Sequence, residues 1–164
     1  MRGVAWANIG EMSKAQEELE NLRGLKQTLP SDYTVGRASA SRLLQIAELL
    51  VNADLLRGYG KLDESIALLA RATRIEDSLL YNEPPDWYFP TRHVLGATLT
   101  EAGYFDEAEA VYWQDLRKAP DNGYSIKGLL NIAEARSDPR LAEYKSKFDV
   151  VWKSADVRLG SSRF

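Results

Sequence analysis

The chain has 164 residues, of which 45% are hydrophobic and 27% charged, values typical of an ordinary globular protein and of a single domain over 1–164. Its formal net charge of −3 indicates no basic face for nucleic acid. The absence of cysteine excludes disulfides, thiolate metal ligands and cysteine catalysis. Apolar runs are too short to cross a bilayer and no signal-peptide pattern opens the chain, so we expect no membrane partner and, by default, a cytoplasmic location.

A spaced pair of residues recurs four times along the chain: a glycine or serine, followed five residues later by a small residue. The pairs are Gly10 with Ala15, Gly60 with Ser65, Gly103 with Ala108, and Ser137 with Ala142. The interval from Gly103 to Ser137 is 34 residues, the length of a tetratricopeptide repeat. The two earlier intervals are longer, which indicates insertions between the units.

The unit near 1–29 opens late in its first helix, where Trp6 already stands close to the helix end. Ser13 and Gln16 then predict a capping box for the second helix. A repeat cut inside its first helix leaves an apolar face uncovered, so we expect this N-terminal end to pair as a two-fold homodimer. The same clipping indicates either a piece of a longer protein or a small free-standing gene.

The unit near 40–79 places Leu49, Ala53 and Leu56 on one face of its first helix, as an amphipathic helix against a core requires. Asp63 is expected to cap the second helix through its side-chain oxygen. Gly58 and Gly60, which precede Asp63, lack the third glycine that a dinucleotide-binding motif requires. We therefore expect them to form the turn between the two helices.

The unit near 89–122 fits the repeat best. Gly96 and Ala108 are small where two helices of a hairpin are expected to cross closely. Gly103 is expected to close the first helix in a left-handed conformation, and Asp106 to cap the second.

The unit near 123–158 ends in a long helix that starts with an Asp138-Pro139 cap. Its apolar stripe consists of Leu141, Tyr144, Phe148, Val151, Trp152 and Ala155. No period-two alternation predicts a strand. The predicted helices lie near 2–9, 13–29, 40–57, 63–79, 89–102, 106–118, 122–135 and 139–158. We therefore predict an all-α, tetratricopeptide-like solenoid of three to four helix pairs with a capping C-terminal helix.

Several short stretches resemble the C-terminal part of a group of bacterial tetratricopeptide-repeat proteins of uncharacterised function. They are residues 81–90 (YNEPPDWYFP), Leu95-Gly96, 107–112 (EAEAVY), 120–123 (PDNG) and 162–164 (SRF). The resemblance covers most of the chain and implies the fold and a bacterial origin. It implies no activity.

Enzyme chemistry finds little support in the sequence. His93 is the only histidine, and with no cysteine present nothing completes a three- or four-ligand metal site. No phosphate-binding loop and no nucleophile elbow occurs. We therefore expect no enzyme activity, no metal and no cofactor.

The inserted stretch 81–90 carries three consecutive aromatic residues, Trp87, Tyr88 and Phe89. Aromatic side chains in an insertion either pack onto the repeat core or anchor a partner when exposed. We expect packing more than partner binding. The alternative function, a small-ligand-binding helical domain, would place an apolar pocket under this loop.

The predicted function is a protein-interaction or scaffold module that binds a protein or peptide in the concave groove of the solenoid. The register of the repeat alone selects the groove residues. They are Asp54, Arg57, His93, Ala97, Tyr124, Lys127, Asn131 and Glu134.

Overall fold

The computed structural model describes residues 1–163, and its regular secondary structure is helical apart from one short hairpin, which confirms the all-α class. The described residues form eight helices: α1 (Arg2–Asn8), α2 (Met12–Thr28), α3 (Ala40–Gly58), α4 (Leu62–Asp77), α5 (Thr91–Glu101), α6 (Phe105–Lys118), α7 (Gly123–Arg136) and α8 (Leu141–Val151). None of these helices is long and apolar enough to span a bilayer.

The chain divides into two compact units, the first covering Met1–Thr91 and the second starting at Arg92. In unit 1, α2 packs on α1 and α3, and α3 packs on α4. In unit 2, α7 packs on both α6 and α8. That residues 1–164 form one domain stays a prediction, since two compact units can still share one folding transition.

The four turns expected from the glycine spacing are present, and all four have the same geometry. Gly10, Gly60, Gly103 and Ser137 have φ angles of 84°, 75°, 80° and 53°. Each donates its N–H to the carbonyl three residues earlier, and the next residue donates to the carbonyl five residues earlier. This is the Schellman closure, in which a left-handed residue satisfies carbonyls at a helix end. It joins α1 to α2, α3 to α4, α5 to α6, and α7 to α8.

Close crossing of the paired helices explains most of the small residues five positions after the turns. Three of the four are fully buried: Ala15, Ser65 and Ala108. Ala142 is exposed, so the last pair departs from the pattern. The prediction for Gly96 is confirmed, because a Cβ there would lie 2.5 Å from ring atoms of Tyr112 on α6.

The predicted N-caps of three second helices are wrong by two positions. The Schellman turns are tight, so α2, α4 and α6 begin only two residues after the turn glycine. Ser13, Asp63 and Asp106 therefore lie inside the first helical turn, and the N-cap residues make no side-chain capping bond. There the two aspartates still favour the helix through its dipole.

The final helix is shorter than predicted, ending at Val151 instead of near 158. It also begins later, at Leu141, because the Asp138 carboxylate accepts from the Arg140 N–H (2.7 Å) in the turn that precedes the helix. Its end follows from tertiary contacts. The ring of Trp152 lies against Gly123, where a Cβ would overlap it, and its indole donates to the Val157 carbonyl (2.9 Å).

A two-residue hairpin between α2 and α3 corrects the expectation that the chain has no strand. Strand β1 (Thr34–Val35) pairs antiparallel with β2 (Ala38–Ser39). Gly36 turns between them with a φ of 58°, a conformation suited to glycine in a two-residue hairpin loop.

Candidate functional site

The two predicted groove residues of unit 1 are engaged within their own unit. Asp54 is 2% exposed, and its carboxylate lies 3.6 Å from Arg57 Nε. Arg57 also donates to the Asn8 side-chain oxygen at 2.7 Å. The Arg57–Asn8 hydrogen bond ties α3 to α1. The burial of Asp54 removes its carboxylate from any open surface.

The six predicted groove residues of unit 2 have different exposures. His93 and Ala97 on α5 are buried. On α7, Glu134 is exposed, while three residues are half-buried: Tyr124, Lys127 and Asn131. The structure therefore brings together His93, Tyr124 and Asn131, which share contacts described below, and leaves Glu134 in solvent.

A buried polar cluster joins α5, α6 and α7 around Asp115, a residue that the repeat pattern did not single out. The Asp115 carboxylate accepts from the Ser125 hydroxyl at 2.6 Å and from the Asn122 amide at 2.9 Å. His93 Nε2 lies 3.3 Å from the same carboxylate oxygen and 3.0 Å from Asn122 Nδ2. Burial without such partners would be costly for a carboxylate.

The electrostatics of this cluster favour the charged form of Asp115. Burial raises the pKa of its carboxyl group, but hydrogen bonds from His93 and Ser125 and the charges of His93 and Arg92 lower it. The net result is a pKa below the usual aspartate value. Hydrogen bonds to the charged form of a buried acid have this effect.

The residues after α8 fold back over this cluster as an irregular stretch, the closing segment (residues 152–163). The Asn131 side-chain amide donates to the Gly160 carbonyl at 2.9 Å. The Ser162 hydroxyl donates to the His93 main-chain carbonyl at 2.8 Å and lies 2.6 Å from the Tyr112 hydroxyl. Ser162 is 1% exposed, so the segment ends in a narrow polar slot.

Tyr112 forms the floor of that slot. Because the single proton of Ser162 goes to the His93 carbonyl, the Tyr112 phenol donates to the serine oxygen. Burial raises the pKa of Tyr112 to about 12. Gly128 lies against the same ring, and a Cβ there would overlap it.

A row of aromatic rings continues from the slot to the start of the closing segment. Tyr124 stacks on His93 with ring centroids 5.3 Å apart and meets the edge of Trp152 at 5.5 Å. Trp152 in turn stacks on Phe148 at 5.7 Å, and the Lys127 ammonium lies 5.7 Å from the Phe148 ring centre. We call the surface under the closing segment the segment face; it comprises His93, Tyr112, Tyr124 and Asn131.

The inserted loop 81–90 belongs to unit 1, where its aromatic residues differ in exposure. Trp87 is half-buried against the apolar cluster of Ile46, Leu49 and Ala72. Phe89 is half-buried, whereas Tyr88 is 59% exposed and its hydroxyl contacts the Met1 sulfur.

Polar contacts hold the same loop to the hairpin. The carboxylate of Asp86 accepts from the Arg37 N–H at 3.2 Å and from the Asn82 amide at 2.6 Å. The Arg37 guanidinium donates to the Tyr81 carbonyl at 3.2 Å. The loop is therefore packed and bonded, with Trp87 turned toward the core.

Sequence reasoning missed Asp115 and Ser162, for different reasons. Asp115 follows Tyr112 by three residues, so it lies on the buried face of α6, and an acid on such a face needs polar partners. The position of an acidic residue on this face could therefore have indicated a buried polar cluster from the sequence. Ser162 lies in an irregular segment whose course depends on tertiary contacts, so no periodicity marks it.

No protein-family model, no curated protein and no solved structure matches the chain. Among residues 1–163, no group of three or more histidine, aspartate or glutamate side chains could hold a metal ion. The functional assignment depends on the geometry of the segment face.

Proposed function

We propose that this chain is a protein-interaction module that binds a polypeptide segment of a partner protein on the segment face. One observation carries the proposal: an irregular stretch of polypeptide, the chain's own closing segment, already lies on this face. Asn131 bonds its main chain at Gly160, and the slot at Tyr112 takes a side chain.

These two kinds of contact are common where a protein binds a peptide segment. A bond to a main-chain carbonyl contributes affinity for any sequence, while a pocket for one side chain contributes specificity. The exposed edge of the aromatic row adds apolar area near Tyr124 and Trp152, and aromatic rings anchor many interfaces.

The finer fold class is part of the same proposal. We infer that the helix pairs are tetratricopeptide-like units, the class that stacks into a solenoid, and that the chain is related to the bacterial repeat proteins it resembles. The four equivalent Schellman turns and the 34-residue interval from Gly103 to Ser137 support this inference.

The order of the polar groups in the buried cluster favours binding over catalysis. In a catalytic triad the histidine stands between the serine and the acid, where it can take the serine proton. Here the Asp115 carboxylate contacts both Ser125 and His93. We therefore propose that the cluster holds α5, α6 and α7 together beneath a binding surface and is not an active site.

The alternative function, a small-ligand site with its pocket under the loop 81–90, stays a prediction. The half-buried Trp87 side chain of that loop packs against Ile46 and Leu49.

Peptide selection followed by cross-linking tests the proposed function. A random peptide library is panned on the immobilised full chain, and an enriched peptide is remade with a photoreactive group. We expect cross-links to residues of α5, α6 and α7 at the segment face, abolished by excess unlabelled peptide and absent for a scrambled one. Panning that enriches nothing, or cross-links confined to other surfaces, would contradict the proposal.

A further inference from the structure

About half of the closing segment is exposed to solvent. Residues 153–158 are all exposed, and beyond Trp152 Ser162 is the one described residue that is fully buried. Within its distal part, residues 157–163, Gly160 and Ser162 bond to the segment face, and Leu159, Ser161 and Arg163 are half-buried. An irregular segment with little buried apolar area opens at a lower free-energy cost than a packed helix.

The same distal part occupies the contacts that a partner needs. The Asn131 amide is engaged by Gly160, and the hydroxyl of Tyr112 by Ser162. A partner segment cannot use either group while the distal part is bound, because each position on the face holds one chain at a time.

We propose that residues 157–163 act as an intramolecular ligand that covers the segment face and must leave it before a partner protein binds. We infer further that the partner presents a segment with a small hydroxyl residue, serine or threonine, at the position of Ser162. Both statements rest on the proposed function and name its regulation and its partner.

The chemistry of the slot sets the preference for a small hydroxyl side chain. The side chain of Ser162 donates to the His93 carbonyl and accepts from the Tyr112 phenol, so an entering side chain must do both. An apolar side chain would leave both groups unsatisfied. A carboxylate cannot donate to the carbonyl, and its burial would be costly.

Tethering makes the competition strong even when the contacts are few. A segment joined to its site by a short flexible linker has a millimolar effective concentration. If the face is open for roughly 1–10% of the time, the apparent Kd of a partner is about 10- to 100-fold weaker than its intrinsic Kd. Releasing the segment should therefore tighten the apparent Kd of the partner by the same factor.

The test measures binding of a labelled peptide, Arg-Leu-Gly-Ser-Ser-Arg, the sequence of 158–163, to full chains by fluorescence anisotropy. Ser162→Glu releases the distal part by burying a charge. Ser154→Glu is the matched control, since it adds the same charge to an exposed position of the closing segment. We expect the Ser162→Glu chain to bind the probe at least about 10-fold more tightly than the wild type and the control.

Two readouts establish that the Ser162→Glu chain is folded and open. Its helical circular dichroism should match the wild type, and the pKa of Tyr112 should fall from about 12 toward the ordinary value as solvent reaches the phenol. Ser162→Ala is a milder second variant that removes both hydrogen bonds without adding charge. We expect it to tighten probe binding several-fold.

In the open Ser162→Glu chain, adding Asn131→Ala should weaken probe binding about fivefold, the effect of one lost hydrogen bond. Gln114→Ala, on the exposed side of α6, is the control and should leave probe binding unchanged. Equal probe affinities for wild type, Ser154→Glu and Ser162→Glu would overturn the covering role of residues 157–163. The proposed function would still stand in that case if selected peptides cross-link to the segment face. An open Ser162→Glu chain that does not bind the probe would overturn the partner chemistry.

Discussion

At the scale of single residues, Asp115 is the group on which unit 2 depends most. It is 5% exposed and accepts hydrogen bonds from Ser125 and Asn122. Asp115→Asn removes the negative charge beside His93 and replaces one carboxylate oxygen with an amide group. We expect a loss of about 3 kcal/mol in unfolding free energy, measured by urea denaturation.

The matched control is Asp106→Asn, which removes an exposed carboxylate paired with Arg136. A surface ion pair of this kind contributes at most about 1 kcal/mol. Equal losses for the two variants would show that the Asp115 cluster has no special structural weight.

The lowered pKa of Asp115 also predicts a pH dependence of stability. A carboxyl group whose pKa is lower in the folded state stabilises the fold above its unfolded pKa, about 3.9 for aspartate. That stabilisation is lost as the pH falls through the folded-state pKa. We therefore expect the unfolding free energy to decline below about pH 4, and to decline less steeply in the Asp115→Asn chain. Parallel curves for the two chains would contradict this assignment.

Two glycines in helices offer a matched pair with opposite predicted effects. At Gly96 a Cβ would lie 2.5 Å from the buried Tyr112 ring, so Gly96→Ala should cost about 1–3 kcal/mol through overpacking. Gly24 on α2 has open space around it, and Gly24→Ala should stabilise by about 0.5–1 kcal/mol. Chemical denaturation of both variants measures the difference, and a neutral Gly96→Ala would show that the ring can move away.

At the scale of elements, the loop 81–90 tests whether an insertion packs as part of unit 1. Trp87 lies against Ile46 and Leu49, while Tyr88 beside it is exposed. We expect Trp87→Ala to lower the unfolding free energy by about 3 kcal/mol and Tyr88→Ala by less than about 0.5 kcal/mol. If Trp87→Ala costs as little as Tyr88→Ala, the indole is not part of the core.

The helices and their turns could be predicted because their causes are local. Apolar periodicity marks each helix, and the left-handed residue of a Schellman turn favours glycine, as at Gly60 and Gly103. Two kinds of boundary could not be predicted. The caps moved because a tight turn starts the next helix early, and α8 ended early because Trp152 docks on Gly123.

The candidate site was predicted only in part. The repeat register selected His93, Tyr124 and Asn131, which the structure brings to one surface. It could not select Ser162, because the path of an irregular segment depends on contacts distant in sequence. Nor could register distinguish a side chain that faces a groove from one that is buried there, as His93 is.

At the scale of the whole molecule, the two-fold dimer through the N-terminal end stays a prediction. Met1 and Leu25 are 59% and 53% exposed and line a shallow groove with Leu22 and Val51. Exposed apolar surface of this kind favours self-association. Light scattering at micromolar concentration should give twice the mass of one chain, and Leu25→Glu should give one. A monomeric wild type would reject the dimer.

The central claim is that the segment face binds a polypeptide segment and that the chain's own residues 157–163 occupy it. Nuclear magnetic resonance of the wild-type chain, titrated with the peptide Arg-Leu-Gly-Ser-Ser-Arg, tests it most directly. As the peptide saturates, the side-chain amide signal of Asn131 should shift while the backbone signals of 157–163 move together to random-coil positions. Peptide binding that leaves the signals of Asn131 and of 157–163 unchanged would contradict the account.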